Sequence, residues 1–207
     1  MSSPAGSPER RLWLVRHGET EGQSSVRFHG SNDVALSDEG RAQIRALAPW
    51  LAGVDFARVV HSPLARAAES AAILAEACGV PARRLAADPR LREISFGACE
   101  GLTAEEIAVR FPEFWRAHQA GATAGFPDGE PRAAFAARVA EAVQELARDD
   151  WHGDLLVVGH RGTVRQTLRT LLAVPHGVKD PFGVELGSLT VLRQAATWQI
   201  DLLGALP

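Results

Sequence analysis

A short apolar run that ends in an arginine and a histidine constrains the fold of this chain more than any other feature. The run Leu12–Val15 has two arginines before it, and a glycine follows the histidine, which is typical of a buried β-strand. Arg16 and His17 therefore lie at the carboxyl end of that strand, the edge where ligands bind in open α/β sheets. The pair is either a solvated charge beside a structural imidazole or an anion clamp beside a nucleophile or base.

The composition is that of an ordinary globular chain with a slightly acidic balance. Its 207 residues are 46% hydrophobic and 23% charged, and the formal net charge is −3. No apolar run approaches the roughly 20 residues that a membrane helix needs. We therefore expect one domain with no membrane partner and no nucleic-acid partner, because nucleic acids and anionic membranes both require an extended basic surface.

The cysteine count and the N-terminus bear on the cellular compartment. Two cysteines, Cys78 and Cys99, cannot form a disulfide framework, and the first residues contain no apolar signal segment. We therefore expect a cytoplasmic protein. Residues 1–10 are rich in serine and proline and offer nothing to bury, which predicts a disordered leader.

One of these cysteines matches the spacing Cys-x5-Arg of cysteine-dependent phosphatases, with Arg84 as the arginine. Such a loop follows a strand and needs consecutive backbone N–H groups to hold a phosphate. Here Cys78 follows a predicted helix, and Pro81 removes one of those N–H groups. We therefore interpret Cys78 as the end of a helix and expect no cysteine nucleophile.

Segments typical of strands and of helices alternate along the rest of the chain. The alternation predicts one α/β domain over residues 11–207, with three α/β/α layers and a mostly parallel central sheet. A segment at about 102–131, rich in aromatic residues and glycine, predicts a small helical lid, although its aromatic side chains are equally explained as packing. The predicted strands are Leu12–Val15, Phe56–Val60, Leu85–Ala87, Asp154–Val158, Leu189–Leu192 and Trp198–Leu202. The predicted helices are one capped by Ser37 and then Leu64–Ala77, Thr103–Arg110, Glu113–Ala120, Arg132–Arg148 and Thr163–Leu172.

Four of the predicted strand-to-loop junctions each deliver a polar side chain. Arg16 and His17 follow the first strand, Arg66 lies just past the second, and Glu93 and His160 follow the next two. Two arginines, two histidines and a helix N-terminus describe a phosphate pocket, because guanidinium groups match phosphate oxygens and free helix N–H groups favour anions. Taken singly, Arg66 is better explained as a solvated helix residue, and Glu93 is equally explained as the ion-pair partner of Arg90 or Arg92.

The same residues suggest a reaction at phosphorus. A histidine among cations has its protonated form disfavoured, so His17 is available as a neutral nucleophile that forms a phosphohistidine. Apolar neighbours favour the protonated form of a carboxyl, so Glu93 can protonate the leaving oxygen and then activate water. His160 can stabilise charge on the transferring phosphoryl group. The sequence contains no metal-binding motif and no nucleotide-binding loop, so we expect neither a metal nor a cofactor.

Several short motifs spread over most of the chain resemble those of one enzyme family. They are Arg-His-Gly-Glu-Thr at 16–20, Gly-x-x-Asp-x-x-Leu-Ser-x-x-Gly at 30–40, Ser-Pro-Leu-x-Arg-Ala-x-Glu-Ser at 62–70, Leu-Arg-Glu at 91–93, Phe-Gly-x-x-Glu-Gly at 96–101 and Gly-His at 159–160. The family is the histidine phosphatase superfamily, in the branch that contains cofactor-dependent phosphoglycerate mutases and their phosphatase relatives. The resemblance implies that His17 is the phosphorylated nucleophile and Glu93 the proton donor. It also implies that Arg16, Arg66 and His160 form the phosphate pocket.

The chain departs from the family pattern at three positions. Gln23 stands where relatives often carry an asparagine, and together with Thr20 we expect it to contact the substrate. Cys99 stands where a tryptophan is common, and Gly187 where an asparagine often precedes Ser188. These departures bear on substrate contacts and leave the catalytic set intact.

The tyrosine and lysine content separates two activities within the family. Mutases of this branch usually have a tyrosine shortly after the catalytic glutamate and a longer basic insertion. This chain has no tyrosine and a single lysine, Lys179. We therefore expect hydrolysis of a small phosphomonoester. Mutase-type phosphoryl transfer is the alternative within the family, and an inactive phospholigand-binding module is the alternative from another class.

The sequence leaves the substrate and the oligomeric state open. Arg27, Arg110 and Arg116 are candidates for holding a second anionic group of the substrate, although a solvated position is the simpler explanation for each. Exposed aromatic residues of the predicted lid could serve a homodimer.

Overall fold

Six strands form one mostly parallel sheet in the computed structural model, which describes residues 10–149, 153–175 and 181–207. The strands are β1 (Arg10–Arg16), β2 (Phe56–His61), β3 (Leu85–Ala87), β4 (Asp154–Gly159), β5 (Leu189–Gln194) and β6 (Trp198–Ala205). They lie in the order β3-β2-β4-β1-β5-β6. β3, β2, β4 and β1 run parallel to one another. β5 pairs antiparallel with β1 on one side and with β6 on the other. The carboxyl ends of β1, β2 and β4 therefore meet at one edge of the sheet.

The helices form a layer on each face of the sheet, which confirms the predicted α/β/α architecture. In the described residues they are α1 (Asp38–Ala46), α2 (Ala48–Leu51), α3 (Ala65–Ala77), α4 (Ala104–Arg110), α5 (Pro112–Gln119), α6 (Arg132–Arg148) and α7 (Arg161–Leu171). Val158 of β4 packs with α1 and α3, whereas the adjacent Val157 packs with α6 and α7. This alternation is what the pleat of a strand requires when both of its faces are buried. None of these helices is both long and apolar enough to cross a membrane.

The amino-terminal boundary lies one residue earlier than predicted. Arg10 already belongs to β1 and pairs with Gln194 of β5, so the predicted leader of residues 1–10 is one residue too long. Its backbone gains ladder hydrogen bonds that composition alone does not reveal. Residues 1–9 lie outside the described residues.

The aromatic side chains of the segment predicted as a lid pack against one another. The ring centroids of Phe126 lie 4.7 Å from Phe96 and 5.3 Å from Phe114, and Phe28 lies 5.2 Å from Phe96. These distances are those of favourable aromatic pairs. Phe126 also lies 5.9 Å from Phe28, so the segment 102–131 supports the loop that carries Phe28. The homodimer stays a prediction.

The loop after β1 is held against the start of α1 by a close approach of two backbones. Ser37 caps α1, as predicted, by accepting a hydrogen bond from the Gly40 backbone N–H at 3.1 Å. A Cβ atom on Gly40 would collide with the backbone of Glu19, and one on Gly18 would collide with the Gly40 carbonyl. Both glycines are therefore needed for the loop that follows His17 to lie where it does.

The substitution Gly40→Ala tests this close approach. We expect it to lower the free energy of unfolding by about 1–3 kcal/mol, the usual range for inserting a methyl group into a packed site. The matched control is Gly183→Ala, because a Cβ atom there meets no atom within 4 Å. The measurement is urea unfolding of the two variants and of the unsubstituted protein. Equal midpoints for both variants would contradict the close approach.

Candidate active site

His17 presents one free ring nitrogen to a cavity at the carboxyl end of β1. Its Nδ1 lies 2.7 Å from the carbonyl oxygen of Gly18, which can only accept, so Nδ1 carries the proton and Nε2 has a free lone pair. The backbone N–H of His17 donates to the Gly159 carbonyl at 3.0 Å, which fixes the residue to the end of β4. Burial, together with the Arg66 and Arg16 guanidinium groups, lowers the pKa of His17 well below its ordinary value. The imidazole is therefore neutral at neutral pH.

Two buried arginines flank this histidine, and each has a hydrogen-bond donor that is not used. Arg66 is 1% exposed and donates to the carbonyls of Asn32 and Gly30 at 2.7 and 2.8 Å. Arg16 is 8% exposed and donates to the Val184 carbonyl at 2.8 Å. The Nε atoms of both arginines are buried and have no hydrogen-bond partner among the described residues. Since buried donors are normally satisfied, these atoms indicate an anion site.

Burial also changes the acidity of these arginines without discharging them. Burial, helped by the charge of Arg161, lowers the pKa of Arg16 to about 10, and burial lowers the pKa of Arg66 as well. Arg16 therefore keeps its positive charge at neutral pH.

His160 follows β4 and caps the start of α7. Its ring centroid lies 5.1 Å from that of His17, and its Nε2 forms a 2.8 Å hydrogen bond with the hydroxyl of Ser62. Burial and the Arg66 charge lower the pKa of His160 well below its ordinary value. Its Nδ1 is buried without a partner in the described part of the chain. Ser62, which the sequence analysis treated only as part of a motif, therefore fixes the orientation of this ring.

Glu93 lines the cavity and is buried, as its apolar neighbours in sequence predicted. Its two carboxylate oxygens accept hydrogen bonds from the backbone N–H groups of Ile94 and Gly162, both at 3.0 Å. Of the apolar residues beside it in sequence, Leu91 and Ile94 belong to hydrophobic clusters and Phe96 lines the same cavity. The alternative of an ion pair with Arg90 is absent, because Arg90 pairs with Asp88 at 2.7 Å.

Arg138 of α6 binds the backbone carbonyls around Glu93, and the sequence did not predict this role for Arg138. Its guanidinium donates to the carbonyls of Arg90 and Arg92, both at 2.7 Å, and of Glu93 at 3.2 Å. It also forms a 2.7 Å ion pair with Glu130. The only sequence signal was an arginine on the amphipathic helix α6, which a solvated position explains equally well.

The cavity has a volume of about 150 Å³. Of the predicted residues, Arg16, His17, Arg66 and Glu93 line it, and the ring of His160 lies 5.1 Å from that of His17. The rest of the lining consists of residues 24–30, Phe96 and Arg161. No residue of the segment 102–131 lines it, and Phe126 of that segment packs against two residues that do, Phe28 and Phe96.

The structure does not bring Thr20 or Gln23 to the cavity. The Thr20 hydroxyl accepts from the Ser24 backbone N–H at 3.1 Å and so closes a tight turn. Gln23 occupies the left-handed region in that turn, with φ of 59°, and is exposed. The turn instead places Ser24 and Ser25 in the lining. Serine hydroxyls in a polar loop carry no periodic pattern that would have identified them.

Only one of the three arginines predicted to hold a second anionic group lines the cavity. Arg27 lines the cavity, but its guanidinium is held by Glu106 at 2.9 Å. Arg110 and Arg116 do not line the cavity. Arg161 does, and it was missed because the helix was predicted to begin two residues later. Lys179 lies outside the described residues.

Neither cysteine has the surroundings of a nucleophile. Cys78 follows the last turn of α3, as predicted, and burial raises the pKa of its thiol. Cys99 is buried in the aromatic cluster, and burial raises its pKa as well. Within the described ranges, no three histidine, cysteine, aspartate or glutamate side chains are grouped so that they could hold a metal ion.

The two buried histidines predict a loss of stability at acidic pH. Because their pKa values are lowered in the folded state, the unfolded chain binds more protons below about pH 6.5, and the free energy of unfolding falls with the pH. Each histidine should contribute a fall of about 2 kcal/mol between pH 7 and pH 5. Urea unfolding at pH 5, 6 and 7 should give a smaller fall for His17→Asn than for the unsubstituted protein. Parallel pH profiles would contradict this assignment.

Comparisons with known proteins identify the family of this chain. The family model of the histidine phosphatase superfamily (branch 1) matches residues 12–204. A relative from Serratia proteamaculans, described as "Probable phosphoglycerate mutase GpmB", is 31% identical over 167 residues, which are 80% of this chain and 76% of the relative. The solved structure of mycobacterial glucosyl-3-phosphoglycerate phosphatase with VO3 has a TM-score of 0.83 and 32% identity, covering 95% of this chain and 99% of that one. Alpha-ribazole phosphatase from Shigella flexneri has a TM-score of 0.80 and 25% identity, covering 94% and 96%. This chain belongs to branch 1 of the histidine phosphatase superfamily.

Proposed function

We propose that this chain is a metal-independent phosphomonoesterase that hydrolyses a small phosphorylated metabolite through a phosphohistidine on His17. The observation that carries the proposal is a neutral imidazole with a free Nε2, flanked by two buried guanidinium groups whose Nε donors are unused. A cavity of about 150 Å³ suits a small metabolite, since sites for drug-sized ligands start at about 300 Å³.

In the first half-reaction, Nε2 of His17 attacks phosphorus, and the bond between phosphorus and the ester oxygen breaks. Arg16 and Arg66 bind the phosphoryl oxygens and neutralise the charge that spreads over them, which is the role that a metal ion has in other phosphatases. The protonated carboxyl of Glu93 gives its proton to the leaving oxygen, so the alcohol departs neutral.

In the second half-reaction, water attacks the phosphohistidine. The Glu93 carboxylate, formed in the first step, takes a proton from that water as it bonds to phosphorus. The bond between phosphorus and Nε2 breaks, which releases inorganic phosphate and returns His17 to its neutral form. We assign to His160, whose ring is oriented by Ser62 and lies next to that of His17, the role of stabilising the charge on the transferring phosphoryl group.

Hydrolysis is favoured over mutase-type transfer by the residues of this chain. A mutase must hold a bisphosphorylated intermediate, and the chain has no tyrosine and only one lysine for that purpose. Two of the structural neighbours are phosphatases by name. An inactive binding module is disfavoured because the nucleophile, the acid and both arginines are all retained in one cavity. We further propose a reducing cytoplasmic location, which suits two unpaired cysteines.

The first prediction of this mechanism is a covalent phosphoryl group on His17. Rapid quenching with a labelled substrate should trap an adduct that is stable to base and labile to acid, and peptide mapping should place it on His17. His17→Ala should lower the rate of the phosphoryl-transfer burst by roughly a thousandfold or more. A chelator in excess should leave the burst unchanged, because the arginines bind the phosphoryl group.

The matched control is His118→Ala, because His118 lies on α5 and does not line the cavity. This variant should keep the burst. An adduct that maps to Cys78, full activity in His17→Ala, or activity that needs added magnesium or zinc would each contradict the mechanism.

The second prediction concerns the proton donor. General acid catalysis contributes roughly 100- to 10,000-fold, and it matters most for poor leaving groups. Glu93→Gln should therefore slow the phosphorylation burst with an alkyl phosphate far more than with p-nitrophenyl phosphate, because a nitrophenolate leaves without a proton. Dephosphorylation should slow equally for both substrates, since that step no longer contains the leaving group.

The control for this experiment is Glu141→Gln, an exposed carboxylate on α6, which should change neither rate. Equal losses of the Glu93→Gln burst across leaving groups of widely different pKa would mean that Glu93 only positions the substrate.

A further inference from the structure

We propose that Arg161 binds a second anionic group of the substrate, a carboxylate or a second phosphate, and so makes the enzyme selective for small phosphomonoesters that carry one. The proposal rests on the proposed function, because it takes the phosphoryl group to lie at Arg16 and Arg66. It assigns Arg161 to the part of the substrate that remains after the phosphoryl group is bound.

Arg161 is an unpaired cation in the lining of the cavity. Its guanidinium makes no ion pair and no hydrogen bond with any residue in the described part of the chain. Arg27, a half-buried arginine of the same lining, is held by Glu106 at 2.9 Å and by the Gly101 carbonyl at 2.7 Å. Of these two arginines, Arg161 is therefore the one with its donors available for a ligand.

The charges of the lining leave one cation without a partner when the substrate is bound. The lining holds four arginines and one carboxylate, Glu93, and Glu106 neutralises Arg27. In the complex that precedes phosphoryl transfer, Glu93 carries the proton for the leaving oxygen. The remaining three arginines then face a phosphoryl group of charge about −2. One positive charge is left, and a second anionic group on the substrate would neutralise it.

The position of Arg161 separates it from the phosphoryl group itself. Arg16 and Arg66 are buried, whereas Arg161, the first residue of α7, is exposed. It still lies close enough to Arg16 to contribute to its lowered pKa. The exposed Val26 and the aromatic Phe28 lie in the same lining and offer an apolar surface to the carbon skeleton between the two anionic groups.

The experiment measures binding of phosphonates that cannot be hydrolysed. Titration calorimetry at low ionic strength compares 3-phosphonopropionate with propylphosphonate, which differ only in a carboxylate in place of a methyl group. Propane-1,3-bisphosphonate against propylphosphonate is the second arm. The unsubstituted protein should bind at least one of the two ligands with a second anionic group, 3-phosphonopropionate or propane-1,3-bisphosphonate, about tenfold or more tightly than propylphosphonate. A gain of this size is expected for charge-assisted hydrogen bonds.

The substitution Arg161→Gln should remove that preference and leave the affinity for propylphosphonate nearly unchanged. The arm whose preference disappears identifies the second group as a carboxylate or a phosphate. The matched control Arg27→Gln removes the same charge from the same lining and should keep the preference.

Three results would overturn the proposal. They are equal binding of all three ligands by the unsubstituted protein, an equal loss of affinity for all three in Arg161→Gln, and a loss of the preference in Arg27→Gln instead. Failure of the proposed function would look different, because it would be absence of phosphomonoester hydrolysis. The phosphonate affinities do not depend on turnover, so they test Arg161 in either case.

Discussion

The rest of the site depends on two buried guanidinium groups, neither of which is bonded to a carboxylate among the described residues. Arg16 and Arg66 are held by backbone carbonyls, which orient them without cancelling their charge. Burying such charges costs free energy, and a preorganised site of this kind returns it only when an anion is bound. Burial and the charges of these arginines lower the pKa of His17 and keep it neutral, so in the proposed mechanism the groups that bind the phosphoryl group also keep the nucleophile unprotonated.

The sheet provides the geometry that this electrostatic arrangement needs. β1 and β4 are adjacent and parallel, with Arg16 paired in register with Gly159, so the residues that follow the two strands, His17 and His160, are neighbours. Parallel pairing brings side chains that are distant in sequence to the same edge of the sheet, at the carboxyl ends of the strands. Glu93 has no strand of this kind to hold it. Arg138 supplies the support by donating to the carbonyls of Arg90, Arg92 and Glu93.

The sequence predicted the residues that regular structure positions, and it failed where irregular backbone decides. Arg16, His17 and His160 follow short apolar runs, from which the ends of the strands could be inferred. The shared edge followed from the alternation of predicted strands and helices along the chain. Gln23 was assigned to the substrate by resemblance, but its side-chain direction depends on a left-handed turn that no periodicity encodes. Arg161 was missed for a similar reason. Helix boundaries are uncertain by one or two residues, and here that difference separates a loop residue from one lining the cavity.

The N-terminus of α7 links the separate parts of the site. Three consecutive residues there have different tasks: His160 lies against His17, Arg161 lines the cavity, and the Gly162 backbone N–H binds the Glu93 carboxylate. A Cβ atom on Gly162 would collide with that carboxylate, so only glycine allows this approach. Because the start of α7 carries all three contacts, a shift of this helix would change the positions of His160 and of the Glu93 carboxylate together. Their spacing is therefore set by the backbone of α7, and substrate selectivity can change at position 161 without altering the chemistry.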